Sequence, residues 1–372
     1  MTNEQLYTAA WQSLSFIGPS GVRKLVNYFG SAEKAWNTAD KEIFNILHHC
    51  IEKQLKISQE KKCFDWDRFL THINQLNLQI ISYQDVEYPL LLSQTYNPPA
   101  ALFYRGTLPV NIKSVAIVGS RRCTPYGKNA ALHIAQNLSA QDITIISGGA
   151  RGIDTSAHIG ALQEEKPTIA VMACGLHTWY PPENKRLFQD ILDMKGAIIS
   201  EYAPGIEPLP QHFPARNRII SGLARCVIVI EAAKRSGSLI TADFALEEGR
   251  DVFAVPGSIF SKTSEGTNEL LRIGAIPLTK TDDLLNEYGW NSSISIDSPP
   301  DKHNYMSLTL LENTLLKFIS YDEALSQDDL IVRSQIDAGT ISRTITTLII
   351  KGFIWEDSTG RYIRSPHNKE LQ

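Results

Sequence analysis

Several short segments combine small residues with cations or hydroxyls in patterns suited to an anionic ligand. Gly119-Ser120-Arg121-Arg122-Cys123-Thr124-Pro125 reads as a turn running into a helix, with Thr124 suited to the N-cap and Pro125 to the first helical position. Such a helix start aims backbone N–H groups at an anion. Arg121 and Arg122 stand where a dinucleotide-binding turn needs glycine, so this turn suits a phosphodiester backbone better than a pyrophosphate. In Ser147-Gly148-Gly149-Ala150-Arg151-Gly152-Ile153-Asp154, Gly148 and Gly149 let backbone approach a ligand, Arg151 adds charge, and Asp154 is a candidate helix cap. His212-Phe213-Pro214-Ala215-Arg216-Asn217-Arg218 sets two arginines and an Asn at a helix start beside a ring. Cations for phosphates plus an exposed ring for bases is the chemistry of single-strand nucleic-acid recognition, although Phe213 is equally suited to stapling the helix entry into the core. Ser236-Gly237-Ser238 follows Lys234 and Arg235, and Lys262 lies in a loop opened by Pro256-Gly257-Ser258.

Nothing in these segments supplies catalysis. His158 lies one helical turn after Asp154, yet no His or Cys stands at ligand spacing, so it reads as a packed, hydrogen-bonded side chain. No catalytic residue, no metal site and no cofactor are expected.

The elements that must position these segments alternate in type. Apolar, β-rich runs at Ser114–Val118, Ile143–Ser147, Thr168–Met172, Ala197–Ser200, Val227–Ile230 and Asp251–Val255 are interleaved with helical stretches near Tyr126–Ser139, Asp154–Glu165, Asn184–Met194, Pro214–Leu223 and Leu239–Glu248. Strands apolar on both faces need helices on both faces, so the fold class is α/β, a Rossmann-like doubly wound parallel sheet. Its ligands lie at the carboxyl ends of the strands, where all the segments above fall. Together they bring Arg121, Arg122, Arg151, Arg216, Arg218, Lys234, Arg235 and Lys262 to one rim.

Flanking regions differ in texture. Residues 1–78 read as a small helical domain, with a turn at Ile17-Gly18-Pro19-Ser20-Gly21 that fits either a plain bundle or a DNA-binding helix-hairpin-helix (SAM-like) unit carrying Arg23 and Lys24. Residues 79–288 hold the sheet domain, led in by a Pro- and Tyr-rich connector with a strand at Ala101–Tyr104. A polar linker, 289–306, precedes a unit over 307–372. There, helices at Leu308–Ser320, Gln327–Arg333 and Ala338–Lys351 are followed by a hairpin about Asp357-Ser358-Thr359-Gly360, a winged-helix pattern. Its third helix presents mainly Thr340, Ser342, Thr344, Thr346 and Thr347 with Arg343 as its one arginine, which favours a protein-contact or structural role over DNA reading.

The chain has 372 residues, enough for two or three domains, and 36 Lys plus Arg against 40 Asp plus Glu. Any nucleic-acid site must therefore be a local patch on an acidic protein. Cys50, Cys63, Cys123, Cys174 and Cys226 are scattered without CxxC spacing, which argues against a disulfide framework or zinc site. No signal-peptide-like start and no apolar run long enough to cross a membrane is present, so a cytoplasmic setting is expected.

The strings VAIVGSRR, SGGARGID followed by AH, FPARNRIISGL, SGSLITA and GRDVFAVPG, with Tyr88-Pro89 and Pro98-Pro99 ahead of them, resemble the DprA/Smf family of bacterial DNA-processing proteins over about residues 83–280. The resemblance implies a protein that binds and protects incoming single-stranded DNA in natural transformation and recombination, loads RecA onto it, and dimerises through the Rossmann-like domain. It implies that Arg121, Arg216, Asn217 and Arg218 contact phosphates and that Lys262 belongs to a loop closing the pocket. Ala215 departs from the family pattern, where a basic residue is expected, and removes one charge. The single-stranded DNA site expected is Arg121, Arg122, Gly148, Gly149, Arg151, Phe213, Arg216, Asn217, Arg218, Ser236, Gly237, Ser238 and Lys262.

The main alternative is a nucleotide-binding enzyme on the scaffold of LOG-type phosphoribohydrolases. Those carry a catalytic Glu in a PGGxGTxxE-like turn, whereas here Ser236–Ala242 holds no carboxylate until Asp243. A nicotinamide-dependent oxidoreductase lacks its glycine pattern. A regulator holding a mononucleotide in the same pocket stays open.

Overall fold

The computed structural model describes residues 1–108, 113–290, 308–357 and 359–365. Linker residues 291–306, Ser358 of the hairpin turn and the end of the chain lie outside these.

The sheet is built from β1 (Gln79–Ser82), β2 (Ala101–Gly106), β3 (Ser114–Gly119), β4 (Thr144–Ser147), β5 (Thr168–Val171), β6 (Ala197–Ser200), β7 (Cys226–Ile230), β8 (Asp251–Ala254) and the short β9 (Ile276–Pro277), in the order β1-β2-β6-β5-β4-β3-β7-β8-β9. From β6 to β9 all pairings are parallel; β1–β2 and β2–β6 are antiparallel. The strands from Ser114 onward thus pair in parallel, as their βα alternation predicts, and the lead-in adds two antiparallel strands, β1 and β2, at one edge. Between β1 and β2 the chain contains only the four-residue Leu90–Ser93 helix and a proline run, and without a longer helix to carry a crossover it folds back to pair antiparallel.

Helices cover both faces. Alternate residues of β3 show it: Val115 and Ile117 pack under Pro125–Ala140 and Ile153–Gln163, whereas Ala116 and Val118 pack under His212–Leu223 and Gly237–Glu247. In chain order the helices are α1 (Asn3–Ser13), α2 (Gly18–Phe29), α3 (Ala32–Asn37), α4 (Asp40–Leu47), α5 (Ile51–Lys62), α6 (Trp66–Gln75), α7 (Leu90–Ser93), α8 (Pro125–Ala140), α9 (Ile153–Gln163), α10 (Lys185–Asp193), α11 (His212–Leu223), α12 (Gly237–Glu247), α13 (Glu265–Arg272) and α14 (Thr281–Glu287). The chain steps from β3 outward to β6, then returns to place β7 on the other side of β3. That reversal opens a crevice at the carboxyl ends of β3 and β7.

The six N-terminal helices have their own core around Trp11, Leu25 and Trp36, but Ala9, Phe69 and Ile73 also share a cluster with Phe103 and Ile198 of the sheet. The proline-rich lead-in is held by its carbonyls, because prolines offer no N–H. Arg23 donates to Pro98, Arg218 to Asn97 at 2.8 Å, and Tyr88 to Pro99 at 2.8 Å. Arg23 is therefore committed within the protein and not offered to DNA by the Gly18–Gly21 turn.

The C-terminal unit has three helices, α15 (Leu310–Leu316), α16 (Gln327–Ser334) and α17 (Ala338–Ile350), then a hairpin of β10 (Ile354–Glu356) and β11 (Tyr362–Arg364). Helix α15 is shorter than the sequence suggests. Thr344, expected on the surface of α17, is buried, with its hydroxyl donated back to Thr340 O at 2.8 Å. Among the described residues no helix is long and apolar enough to cross a membrane, and no group of three or more His, Cys, Asp or Glu is placed to hold a metal ion. The five cysteines are all free thiols.

Candidate nucleic-acid interface

A groove of about 770 Å³ lies at the topological reversal. Its floor is the end of β3 and the turn after it, where Ser120 N–H donates to Glu231 O at 2.7 Å and Ile153 N–H donates to Ser120 O at 3.2 Å. Glu231, which follows β7 with φ at 52°, is buried and turns its carboxylate to the start of α8. It accepts from Thr124 N–H at 2.7 Å and from the Thr124 hydroxyl, while Thr124 Oγ1 caps Gly127 N–H at 3.2 Å. The Gly119–Thr124 turn is therefore tied at both ends, leaving Arg121 and Arg122 exposed on the groove.

Arg121 lies 4.9 Å above the Phe213 ring, and Phe213 tilts against Tyr180 with ring centroids 5.6 Å apart. Phe213 is half-buried, neither a core staple nor a free platform, and it lines the groove with Arg121, Arg122, Arg216, Asn217, Ser236, Gly237 and Ser238. A guanidinium resting on a ring next to open space presents a flat cation and a π-face together.

The arginines of α11 behave differently from expectation. Arg216 is only 4% exposed. Its Nη1 donates to Gly148 O at 2.7 Å and to Val171 O, closing the carboxyl ends of β4 and β5, so it underlies the groove instead of forming its rim. Burial pushes its guanidinium down to about 10, opposed by the charge of Asp154. Asp154 is pushed up by burial, opposed by Arg216, and accepts from Gly148 N–H at 3.1 Å and Ala150 N–H at 3.3 Å. A Cβ on Gly148 would meet the Arg216 guanidinium at 2.6 Å, and one on Gly149 would meet Phe188 at 2.6 Å. These two glycines make room for side chains, a role their sequence context did not indicate. Arg218 turns away from the groove, donating to Asn97 O and pairing with Glu201. Arg151 is exposed but paired with Glu183. Asn217 faces the groove and donates to Gly237 O at 3.1 Å. Lys262 is exposed outside the groove lining, although its neighbour Thr263 contributes to it.

His158 is buried. Its Nδ1 lies 2.8 Å from Thr168 Oγ1, and that hydroxyl donates to Ile145 O at 2.7 Å. With the hydroxyl proton so engaged, Nδ1 carries the imidazole proton and donates it. Nε2 has no partner, and burial, aided by Arg216, pushes the imidazole down to about 3. It is a neutral packed histidine, as its isolation in sequence suggested.

Tyr180 and Glu231 belong to this site and were not singled out from sequence. Both follow strands, β5 and β7, so the rule that carboxyl-end loops build the site was the signal available for them. Asp243, the first carboxylate after the Ser236–Ala242 turn, is exposed and outside the groove lining; the carboxylate that does line it is Asp154.

A family model described as DNA recombination-mediator protein A matches residues 79–289. The chain is similar to DNA processing protein DprA of Streptococcus pneumoniae, 50% identical over 202 residues, 54% of this chain and 71% of that one. An X-ray structure of DprA from the same species superposes with a TM-score of 0.66 at 38% identity, covering 77% of this chain and 98% of the other. Protein Smf of Synechocystis is 33% identical over 97% of this chain and 99% of its own. A DprA structure from Helicobacter pylori, described as giving insight into its single-stranded DNA binding mode, matches with a TM-score of 0.52 at 32% identity over 57% of this chain and 95% of the other.

Proposed function

This chain belongs to the DNA recombination-mediator protein A family, whose members carry the names DprA and Smf, and from that premise we propose that its groove binds single-stranded DNA without catalysing a reaction on it. The observation that carries the reading is Arg121 laid over Phe213 at the topological reversal, with Arg122 beside it. Phosphate meets the guanidinium groups and a base meets the ring, a combination open to an unpaired strand and closed to a duplex whose bases are stacked inside. The Helicobacter pylori relative, whose structure concerns single-stranded DNA, supports the same assignment.

Hydrolysis of a nucleotide is less well supported. Asp154, the carboxylate in the groove lining, is engaged by two backbone amides and faces the buried Arg216, which suits a structural anchor better than a free acid–base group. RecA loading during natural transformation, and a homodimer through the sheet domain, remain part of this proposal on the strength of the family resemblance.

The test is anisotropy with a labelled oligonucleotide, single-stranded against duplex. Arg121→Ala is expected to weaken single-strand binding about 10- to 100-fold, the value of charge-assisted hydrogen bonds and stacking lost together, with thermal stability unchanged. Equal affinity of wild type and variant would overturn the site.

A further inference from the structure

The C-terminal unit is seated on α8 through one buried amide. Asn129 is 4% exposed, and its Nδ2 donates to Tyr321 O at 3.1 Å and to Arg364 O at 3.4 Å. Those carbonyls belong to adjoining segments: Arg364 N–H donates to Ser320 O at 3.0 Å, and the Arg364 guanidinium lies 5.2 Å over the Tyr321 ring. A carboxamide this buried, whose amino group is directed wholly to backbone of the other unit, marks a defined seat.

Seated there, the unit supplies Asp322 to the wall of a second cavity of about 510 Å³. Thr124, Tyr126, Glu231 and the loop after β8, through Pro256, Ser258 and Ser264, form its other walls. Thr124 follows Arg122 by two residues, and Thr263 of that same loop lines the groove, so this cavity adjoins the groove across the Gly119–Thr124 turn. Its chemistry is the reverse of the groove's. Among the described residues, two carboxylates line it and neither Lys nor Arg does. On the flank of α8, Asp357 is held below the usual carboxylate range first by Thr359 and also by the charge of Lys128. Lys128, the next exposed cation after Arg122, is therefore faced by a carboxylate of the seated unit.

We propose that the seated C-terminal unit is an acidic end-stop for the strand: Asp322 determines where single-stranded DNA lying on Arg121 and Arg122 must leave the protein surface. A phosphate carried past the turn would meet Asp322 and Glu231 in a lining without Lys or Arg, Lys262 being exposed on the same loop but outside that lining, and like charges at close range repel even near solvent. The footprint is thus limited by the position of the C-terminal unit as well as by the groove itself. This inference rests on the groove being the DNA site.

The experiment measures affinity of the full chain for oligo-dT of increasing length. In wild type, affinity rises steeply with length and then levels once the strand reaches the stop. Asp322 is exposed, so Asp322→Asn leaves the fold intact and adds no cation. It is expected to move the plateau to longer strands and tighten their binding several-fold, leaving short strands unaffected. An unmoved plateau overturns the end-stop. Asn129→Leu removes both donors of the seat and is expected to expand the molecule in small-angle scattering and to lengthen the plateau likewise; expansion with an unmoved plateau overturns the proposal too. If Arg121→Ala fails to weaken even the shortest strands, the groove assignment fails instead, which separates the two.

Discussion

Arg216, Asn217 and Arg218 are consecutive, and on a helix consecutive side chains diverge by about 100°. One closes the ends of two strands, one faces the groove and one clamps the lead-in. A string that looks like a single basic patch is therefore three different devices, and loss of binding in Arg216→Ala would not identify a DNA contact. Removing a buried charge's partner costs about 3–5 kcal/mol, so Arg216→Ala is expected to lower stability in chemical denaturation by roughly that amount, Asp154 being left uncompensated. His158 gives a second residue-level expectation. Its folded value of about 3 lies below that of a free imidazole, so the unfolded chain takes up the proton first. The stability it contributes is complete above about pH 6.5 and is lost progressively as pH falls toward about 3, by several kcal/mol on the linkage scale. His158→Gln should flatten that limb of the stability–pH curve; a limb of unchanged slope would remove His158 as its cause.

At the scale of elements, the edge of the sheet depends on a few side chains reaching across it. Strand β2 pairs with β6, and the proline run before β2 is fastened by Arg23, Tyr88 and Arg218. Arg218 also pairs with the buried Glu201, whose carboxyl burial pushes up against the pull of that arginine. Arg218→Ala is expected to cost about 2–4 kcal/mol, slightly under a fully buried pair because the arginine is partly exposed. The loss should appear as faster hydrogen exchange in β1 and β2 before the central strands. Global loss of protection without that order would contradict a clamp at the edge.

At the scale of the whole molecule, an acidic chain must bind phosphate through a small number of cations. Of eight cations assigned to the rim from sequence, Arg216 and Arg218 are committed inside and Arg151 is paired. The exposed remainder is Arg121, Arg122, Lys234, Arg235 and Lys262. For single strands the logarithm of affinity falls with the logarithm of salt by about 0.7 per phosphate neutralised. The slope is accordingly expected to be no steeper than about −3.5, and to become shallower by about 0.7 in Arg121→Ala. A slope near −5.6 would mean that Arg216, Arg218 and Arg151 are all released to the strand on binding.

The order of strands and helices in the sheet domain was legible in the sequence, because apolar runs of strand length alternating with longer helical stretches admit few arrangements, and Thr124 and Ser236 cap two of the helix starts. The turn with Arg121 and Arg122 was legible for the same reason: a strand end, a cap and a proline locate it without knowledge of distant residues. The antiparallel edge, the inward turn of Arg216 and Arg218, the space-making role of Gly148 and the seat of the C-terminal unit on Asn129 were not. Each depends on what lies opposite in space, a carbonyl of β4, a guanidinium, a backbone segment far along the chain. Local sequence determines which side chains stand near a strand end, whereas only packing decides which of them remain free to meet a ligand.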